Sequence, residues 1–272
     1  MTDQYAVIGN PIAQSKSPAI HAAFAEQTGQ ILHYGRIEAP ADGFAAAATA
    51  FRRQGGRGMN VTAPFKLDAF AYATQLGERA RLAGAVNCLR FDGDTVAADN
   101  FDGIGLLRDM QDNLGIPVRG RRVLLLGAGG AVQGALLPFL EAGPHALVVA
   151  NRTAAKAAAL AEAFGAGSVT GVGLDDLSAM DGFDLVLNAT SASLFGELPA
   201  IPASAFAPGA VAYELAYGKG LTPFLLQARA AGVTRLHDGV GMLVEQAAEA
   251  FAWWRGVRPR TGAVIERMRV PL

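Results

Sequence analysis

Residues 123–140, VLLLGAGGAVQGALLPFL, constrain this chain more than any other stretch, because an apolar run passes through a glycine cluster into a helical pattern. Val123 to Leu126 have the continuous apolar character of a parallel strand covered on both faces. Gly127, Ala128, Gly129, Gly130 and Ala131 then form a turn of small residues. Its glycines lack the Cβ atoms that would hold a diphosphate off the backbone, and the helix they open directs unpaired N–H groups at an anion. The spacing departs from the strict dinucleotide fingerprint: Val132 stands where the third glycine belongs, and the next is Gly134. A turn of this kind also occurs without a ligand.

A second apolar run, Ala146 to Ala150, ends in Asn151-Arg152-Thr153, where a unit of this type meets the adenosine ribose. An acidic residue there would accept from a free 2′-hydroxyl and repel a 2′-phosphate, whereas Arg152 beside small polar side chains suits the phosphate. The expected cofactor is therefore NADP. Lys156 returns to the face of Thr153 one helical turn later and adds a second cation. Thr153 also suits a helix N-cap, and both roles can hold at once.

A chain of 272 residues, 51% hydrophobic and 17% charged, can bury one large or two moderate cores, and two domains are expected. With 23 basic and 24 acidic residues and no run of like charge, nucleic acid is not expected as a partner. Cys88 is the only cysteine, which leaves no internal disulfide and no cysteine-cluster metal site, so no metal is expected. The N-terminal residues do not resemble a signal peptide, and no apolar stretch approaches the ~20 residues that span a bilayer. The expectation is a soluble cytoplasmic protein.

Ahead of the glycine turn, Tyr5 to Ile8 reads as a strand, followed by a helix to about Gln27 with Ser17 as N-cap and Pro18 at its first position. Ser15 and Ser17 beside that helix end could also hold a small carboxylate. Ile31 to Ala39 is a second strand, Asp42 is expected to cap a helix through Arg53, and Met59 to Thr62 reads as a strand edge. Asn60 and Thr62, two apart on a strand, share a face and could bind a hydroxylated ligand or serve the turn. A lysine in a first helical turn is badly placed for the dipole, so Lys66 either reaches solvent or is kept for a task. Val86 to Arg90 and Thr95 to Ala98 flank a hairpin turn, with Asn87 in the first arm. Asp102 suits the N-cap of a helix over 103–113.

Asp184 to Ala189 is a strand whose end is small and polar, so Thr190 and Ser191 should border the cofactor beyond the carboxyl end of the sheet. Val211 to Tyr217 and Val233 to Leu236 are further strands, with Thr222-Pro223 capping a helix between them. This alternation predicts a mostly parallel sheet. In the last long helix, from Gly239 to about Trp254, Val240, Leu243, Val244, Ala247, Phe251 and Trp254 form a core stripe. Gly239, Met242 and Gln246 share another face, suited to a wall touching both a nicotinamide ring and a hydroxylated substrate.

The motifs GNPIAQSKSP (9–18), NVTAPFK (60–66), GAVNC (84–88), DNFDGIG (99–105), GAGGA (127–131), NRT (151–153), NATSAS (188–193) and DGVGMLVEQAAEAFAWW (238–254) occur in this order over nearly the whole chain. Together they resemble those of the shikimate dehydrogenases. The resemblance implies reversible reduction of 3-dehydroshikimate to shikimate with NADPH, a step of aromatic amino-acid biosynthesis. It implies an α/β fold: an N-terminal α/β substrate domain, residues 1–101 with 239–272, and a Rossmann-like doubly wound parallel-sheet NADP-binding domain, residues 102–238. Ser15 and Ser17 become contacts of the substrate carboxylate, and Thr62, Asn87 and Gln246 contacts of its hydroxyls, with Asn60 and Tyr217 placed beside them. Gly239 and Met242 join the cofactor contacts, and the assembly expected is a monomer or homodimer.

Lys66 and Asp102 become the catalytic pair. Hydride transfer leaves negative charge growing on the carbonyl oxygen, and a proton-donating cation must meet it. A nearby carboxylate holds an ammonium in place and favours its charged form, whereas burial does the opposite. Lys66 is thus the principal acid–base group and Asp102 its orienter. Two positions depart from the family pattern, which usually has threonine where this chain has Cys88 and Phe101. Phe101 either reshapes the ring pocket or packs backwards into the core. The rivals are a dehydrogenase preferring quinate or a related hydroxylated carboxylate, and a non-catalytic binding or regulatory protein. Retention of both Lys66 and Asp102 argues against the latter.

Overall fold

The computed structural model describes residues 2–165, 167–190 and 198–272. Two compact units divide the chain: Met1–Gly105 with Val244–Glu266, and Leu106–Leu243 with Arg267–Leu272.

The chain begins with β1 (Asp3–Gly9), α1 (Ser17–Thr28), β2 (Leu32–Glu38), α2 (Phe44–Arg53), β3 (Gly56–Val61), α3 (Lys66–Tyr72), β4 (Gln75–Leu76), α4 (Glu78–Ala83), β5 (Cys88–Asp92) and β6 (Thr95–Asp99). Their sheet has the order β2-β1-β3-β5-β6-β4. It is parallel around β1 and antiparallel where β5 joins β3 and β6. Met59 to Val61 therefore lie in an interior strand, not at an edge, because β3 is hydrogen-bonded on both sides; Thr62 falls past its end. The β5–β6 hairpin forms as its turn residues predict, Asp92 pairing with Thr95 and Gly93 taking the left-handed conformation at φ 54°.

Two expected caps are displaced. Lys16, not Ser17, occupies the N-cap of α1; Ser17 is already helical and donates its N–H to Ser15 Oγ at 3.3 Å. Gly43, not Asp42, precedes α2, since its N–H closes a turn on the Pro40 carbonyl at 2.8 Å and the helix starts one residue later.

Next comes α5 (Asp102–Arg108), which passes into a π-helical turn over Asp109–Asn113 rather than continuing as one helix. The buried Asp109 carboxylate accepts from Asn113 Nδ2 at 3.0 Å and Tyr213 Oη at 2.8 Å, so the turn opens around it. The second sheet then follows with β7 (Arg122–Leu126), α6 (Gly130–Glu141), β8 (Ala146–Asn151), α7 (Ala154–Ala163), β9 (Thr170–Gly173), β10 (Phe183–Asn188), β11 (Phe206–Glu214), α8 (Pro223–Ala230) and β12 (Arg235–Asp238). The chain closes with α9 (Val240–Arg255) and α10 (Gly262–Met268). No helix among the described residues is long and apolar enough to cross a membrane.

All pairings in this second sheet are parallel, in the order β12-β11-β10-β7-β8-β9. The order reverses between β7 and β10, which makes that boundary the switch point of a doubly wound sheet. Leu124, Leu126, Val148, Ala150, Val186 and Ala212 pack on one face, while Val123, Leu125, Val149 and Leu187 are buried on the other. Burial on both faces explains why these strands read as apolar runs rather than alternations. Thr222 caps α8 as expected, its side chain accepting from Leu225 N–H at 3.4 Å. The sequence pattern gives no sign of β9, which is short and carries Gly171 and Gly173.

In the first unit, His21 on α1 is wholly buried and stacks on Tyr34, ring centroids 4.1 Å apart and planes 6° from parallel. Burial holds its pKa down at about 3, opposed by the smaller effect of the nearby Asn60 side chain. Neither ring nitrogen makes an aligned hydrogen bond.

A Cβ at Gly171 would come within 2.2 Å of the Ala157 carbonyl oxygen, so β9 and α7 can approach only over a glycine. Gly171→Ala is expected to cost about 1–3 kcal/mol or more, read as a lower urea midpoint, with an unchanged midpoint refuting the close approach. For His21, the unfolded chain binds a proton below pH about 6.5 that the folded chain refuses down to about pH 3. Stability is therefore full above that range and falls as pH drops through it, by up to about 1.4 kcal/mol per pH unit. His21→Phe should flatten the fall in melting temperature between pH 7 and pH 5 relative to the parent; parallel curves would contradict the buried neutral imidazole.

Candidate functional site

Lys66 opens α3 just after β3, Asn87 stands immediately before β5, and Asp102 opens α5 after β6. The fold brings them together. Lys66 Nζ donates to Asp102 Oδ2 at 2.6 Å, and Asn87 Nδ2 donates to Asp102 Oδ1 at 2.8 Å. Asn87 Oδ1 accepts from the Phe101 N–H at 2.9 Å, so both ends of its carboxamide are engaged. Asp102 is not the expected cap: its carboxylate is taken up by Lys66 and Asn87, and Asn100 Oδ1 accepts the Asp102 N–H at 3.0 Å instead. The Lys66 side chain keeps 28% of its exposure and Asp102 only 11%, so the lysine is partly exposed while the carboxylate is enclosed. A partly exposed pair of this kind adds about 1 kcal/mol or less to stability. Its importance is positional.

The other expected contacts of the first unit each have local partners. Ser15 Oγ donates to Ser17 Oγ at 3.2 Å, and the Arg36 guanidinium donates to the Ser15 carbonyl at 2.6 Å, fixing the segment ahead of α1. Asn60 is buried; its Oδ1 accepts from Tyr34 Oη at 2.6 Å and its Nδ2 donates to the Asn87 carbonyl at 3.4 Å. Thr62 packs against Gly9, where a Cβ would meet Thr62 Cγ2 at 2.6 Å. Gln246 lies on α9 beside Gly105, whose missing Cβ would sit 2.7 Å from the Gln246 backbone nitrogen. Sequence reasoning missed Tyr34 and Asn100. Asn100, two residues ahead of Asp102, carried a usable signal, since Asn side chains often accept a nearby backbone N–H at helix starts; Tyr34 carried none.

Phe101 packs backwards. It is buried with Cys88 and Ala250 in one cluster, its ring edge-on to Trp253 at 5.6 Å and under the Arg79 guanidinium at 5.1 Å. Both departures from the family pattern thus share one patch of core.

In the second unit, Gly127 follows β7 with φ 112°, and a Cβ there would lie 3.4 Å from the Ala189 carbonyl oxygen and 3.5 Å from Thr190 Cγ2. This sets the glycine turn against the loop after β10, at the switch point. Thr190 is held by Asn188 Oδ1, which accepts its N–H at 3.1 Å and its hydroxyl at 2.8 Å. Asn188 Nδ2 donates to the buried Glu214, which also accepts from Thr222 Oγ1, both at 3.0 Å. Gly129 stands at the N-cap of α6 with no heavy atom within 4 Å of its would-be Cβ. Ala128, Gly130 and Ala131 beside it are partly exposed.

At the end of β8, Arg152, Thr153 and Lys156 are exposed, and Asn151 Nδ2 donates to the Thr153 carbonyl at 3.1 Å. Thr153 occupies the N-cap of α7 without using its hydroxyl there. Open ground beside Gly129, a left-handed Gly127 and two cations at the end of β8 fit a dinucleotide carrying an extra phosphate. Gly239 lies against the Leu215 carbonyl, where a Cβ would come within 2.0 Å, and Met242 is half-buried on α9. Tyr217 lies beyond the end of β11, not in the strand expected to reach it, because pairing with β10 and β12 stops at Glu214. Tyr217 belongs to the second unit, unlike the other expected substrate contacts. Ser191 lies outside the described residues.

Residues 7–89 match the shikimate dehydrogenase substrate binding domain, residues 110–196 the shikimate/quinate 5-dehydrogenase model, and residues 239–269 the shikimate 5′-dehydrogenase C-terminal domain. The chain is 55% identical to the shikimate dehydrogenase (NADP(+)) of Nitrosospira multiformis, covering 100% of this chain and 99% of that one. An Ael1 enzyme from Pseudomonas putida superposes with a TM-score of 0.96 at 59% identity over 100% of both chains. Shikimate 5-dehydrogenase from Thermus thermophilus, solved with NADP(H) and shikimate, superposes with a TM-score of 0.87 at 33% identity, over 97% of this chain and 98% of that one. Matched over most of its length by the family models and over all of it by relatives, the chain belongs to the shikimate dehydrogenase family.

Proposed function

We propose that the protein reversibly reduces 3-dehydroshikimate to shikimate with NADPH, with Lys66 as the principal acid–base group. The observation that carries this reading is the 2.6 Å pair of Lys66 and Asp102, with Asn87 gripping the second carboxylate oxygen. NADPH, when bound, supplies the hydride. As the carbonyl becomes an alcohol, negative charge grows on its oxygen, and the Lys66 ammonium donates the proton that this oxygen takes. In the reverse direction Lys66 receives it. Asp102 has no freedom to leave, so it keeps the ammonium aimed.

Ser15 and Ser17 then bind the substrate carboxylate, and Asn60, Thr62, Asn87, Tyr217 and Gln246 its hydroxyls. The backbone of Gly127 to Ala131 receives the diphosphate. Asn151, Arg152, Thr153 and Lys156 take the 2′-phosphate, while Thr190, Ser191, Gly239 and Met242 border the rest of the cofactor. The enzyme works in the cytoplasm as a monomer or homodimer. The quinate alternative rests on Phe101 and Cys88, and the burial of both side chains in the core supports shikimate instead.

Turnover of shikimate and of quinate with NADP, followed in parallel by nicotinamide absorbance, tests the substrate; equal or better quinate efficiency would overturn it. Tight binding with no turnover would favour a binding protein. Lys66→Ala should lower kcat about 10²- to 10⁴-fold with a smaller change in KM, and a loss confined to KM would deny it the proton transfer. Arg152→Ala should weaken NADP binding about 10- to 100-fold while sparing NAD, from loss of a charge-assisted phosphate contact. Equal losses for both cofactors would remove Arg152 from that role.

A further inference from the structure

Two buried side chains of the first unit take no part in the chemistry just described, yet both lie behind it. Tyr34 donates its hydroxyl to Asn60 Oδ1 at 2.6 Å, and its ring lies flat on His21 at 4.1 Å. Asn60 Nδ2 donates in turn to the Asn87 carbonyl at 3.4 Å, which also accepts from the Val61 N–H at 2.8 Å. The Asn87 side chain then reaches Asp102 at 2.8 Å, and Asp102 reaches Lys66 at 2.6 Å. A continuous line of contacts therefore runs from α1 to the acid–base pair.

We infer that Tyr34, held flat against His21, is a positioning residue that sets the orientation of the Asn60 carboxamide and, through Asn87, the register of the Lys66–Asp102 pair. The reason is donor–acceptor matching in a site closed to water. A phenol facing the amide oxygen and a carbonyl facing the amide nitrogen are both satisfied in one orientation. Turned over, Asn60 would set its oxygen against the Asn87 carbonyl, and two buried acceptors would face each other. Burial raises the Tyr34 pKa well above 10, with Cys88 adding to the rise and a hydrogen bond from Ser17 opposing it, so Tyr34 remains a donor throughout the working range. His21 contributes chiefly its ring face: the Asn60 side chain lies near the imidazole, but neither nitrogen makes an aligned hydrogen bond. Phe24 and Phe251 enclose the imidazole from its other sides, which leaves it little freedom to tilt.

This inference rests on the proposed reaction for its kinetic readout only. Tyr34→Phe removes the hydroxyl and keeps the ring, His21→Phe keeps the stack and removes the nitrogens, and His21→Ala removes the stack. Each would be measured for kcat, for KM toward shikimate and NADP separately, and by NMR for solvent exchange of the ¹⁵N-labelled Asn60 side-chain amide without ligand. Tyr34→Phe and His21→Ala are expected to lower kcat about 3- to 10-fold, as loss of one neutral hydrogen bond implies, with KM for NADP unchanged and faster Asn60 exchange. His21→Phe should stay close to the parent in both readouts. Parent-like Asn60 exchange in Tyr34→Phe, or His21→Phe as impaired as His21→Ala, would overturn the inference. If the parent fails to turn over shikimate, the proposed reaction falls, while the amide exchange still decides the role of Tyr34.

Discussion

Both oxygens of the Asp102 carboxylate are committed, one to the Lys66 ammonium and one to the Asn87 amide, and much of the first unit is arranged to keep them so. The three residues come from the start of α3, the segment before β5 and the start of α5. Their meeting requires the mixed sheet to pair β3 with β5 and β5 with β6. The sheet supplies the distances, and burial supplies the permanence. An enclosed carboxylate with two strong partners cannot swing to solvent, so the one partly exposed member, Lys66, presents its charge from a fixed direction. The same economy explains Asn100, which takes over the capping duty that Asp102 cannot perform.

The second unit follows a different logic, that of backbone rather than side chain. A parallel sheet ends all its strands on one edge, and where the order reverses, between β7 and β10, the glycine turn after β7 lies against Ala189 and Thr190. Gly127 turns there in a left-handed conformation, and Gly129 beyond it opens on empty space. Below the loop, Asn188, Glu214 and Thr222 form a buried hydrogen-bonded chain that holds Thr190 in place. A chain of satisfied polar groups is stiff where an apolar contact would slide, which suits a loop bordering a cofactor.

Phe101 shows how a local reading stops short. Its neighbour Asp102 opens α5 and faces the acid–base cluster, while the Phe101 ring turns away, into Cys88, Ala250 and Trp253. The aromatic ring therefore thickens the core behind the site. Because Cys88 lies in the same patch, two departures that look independent in the chain are neighbours in space.

Local chemistry was enough to read the α/β alternation, the glycine turn, the hairpin at Gly93, the Thr222 cap and the core stripe of α9, because each depends on residues within a turn or two. Motif order along the chain was enough for the family. The tertiary structure alone decided that Ser17 and Asp42 do not cap, that Met59 to Val61 are interior, that a π-helical turn opens at Asp109, and that Tyr34 reaches Asn60. It also decided that Lys66, which the local pattern leaves open between solvent and a task, meets Asp102. The physical reason is common to all of these: a side chain with a hydrogen-bonding group takes the partner that burial brings closest, and that partner is set by strand pairing across tens of residues, which no local pattern encodes.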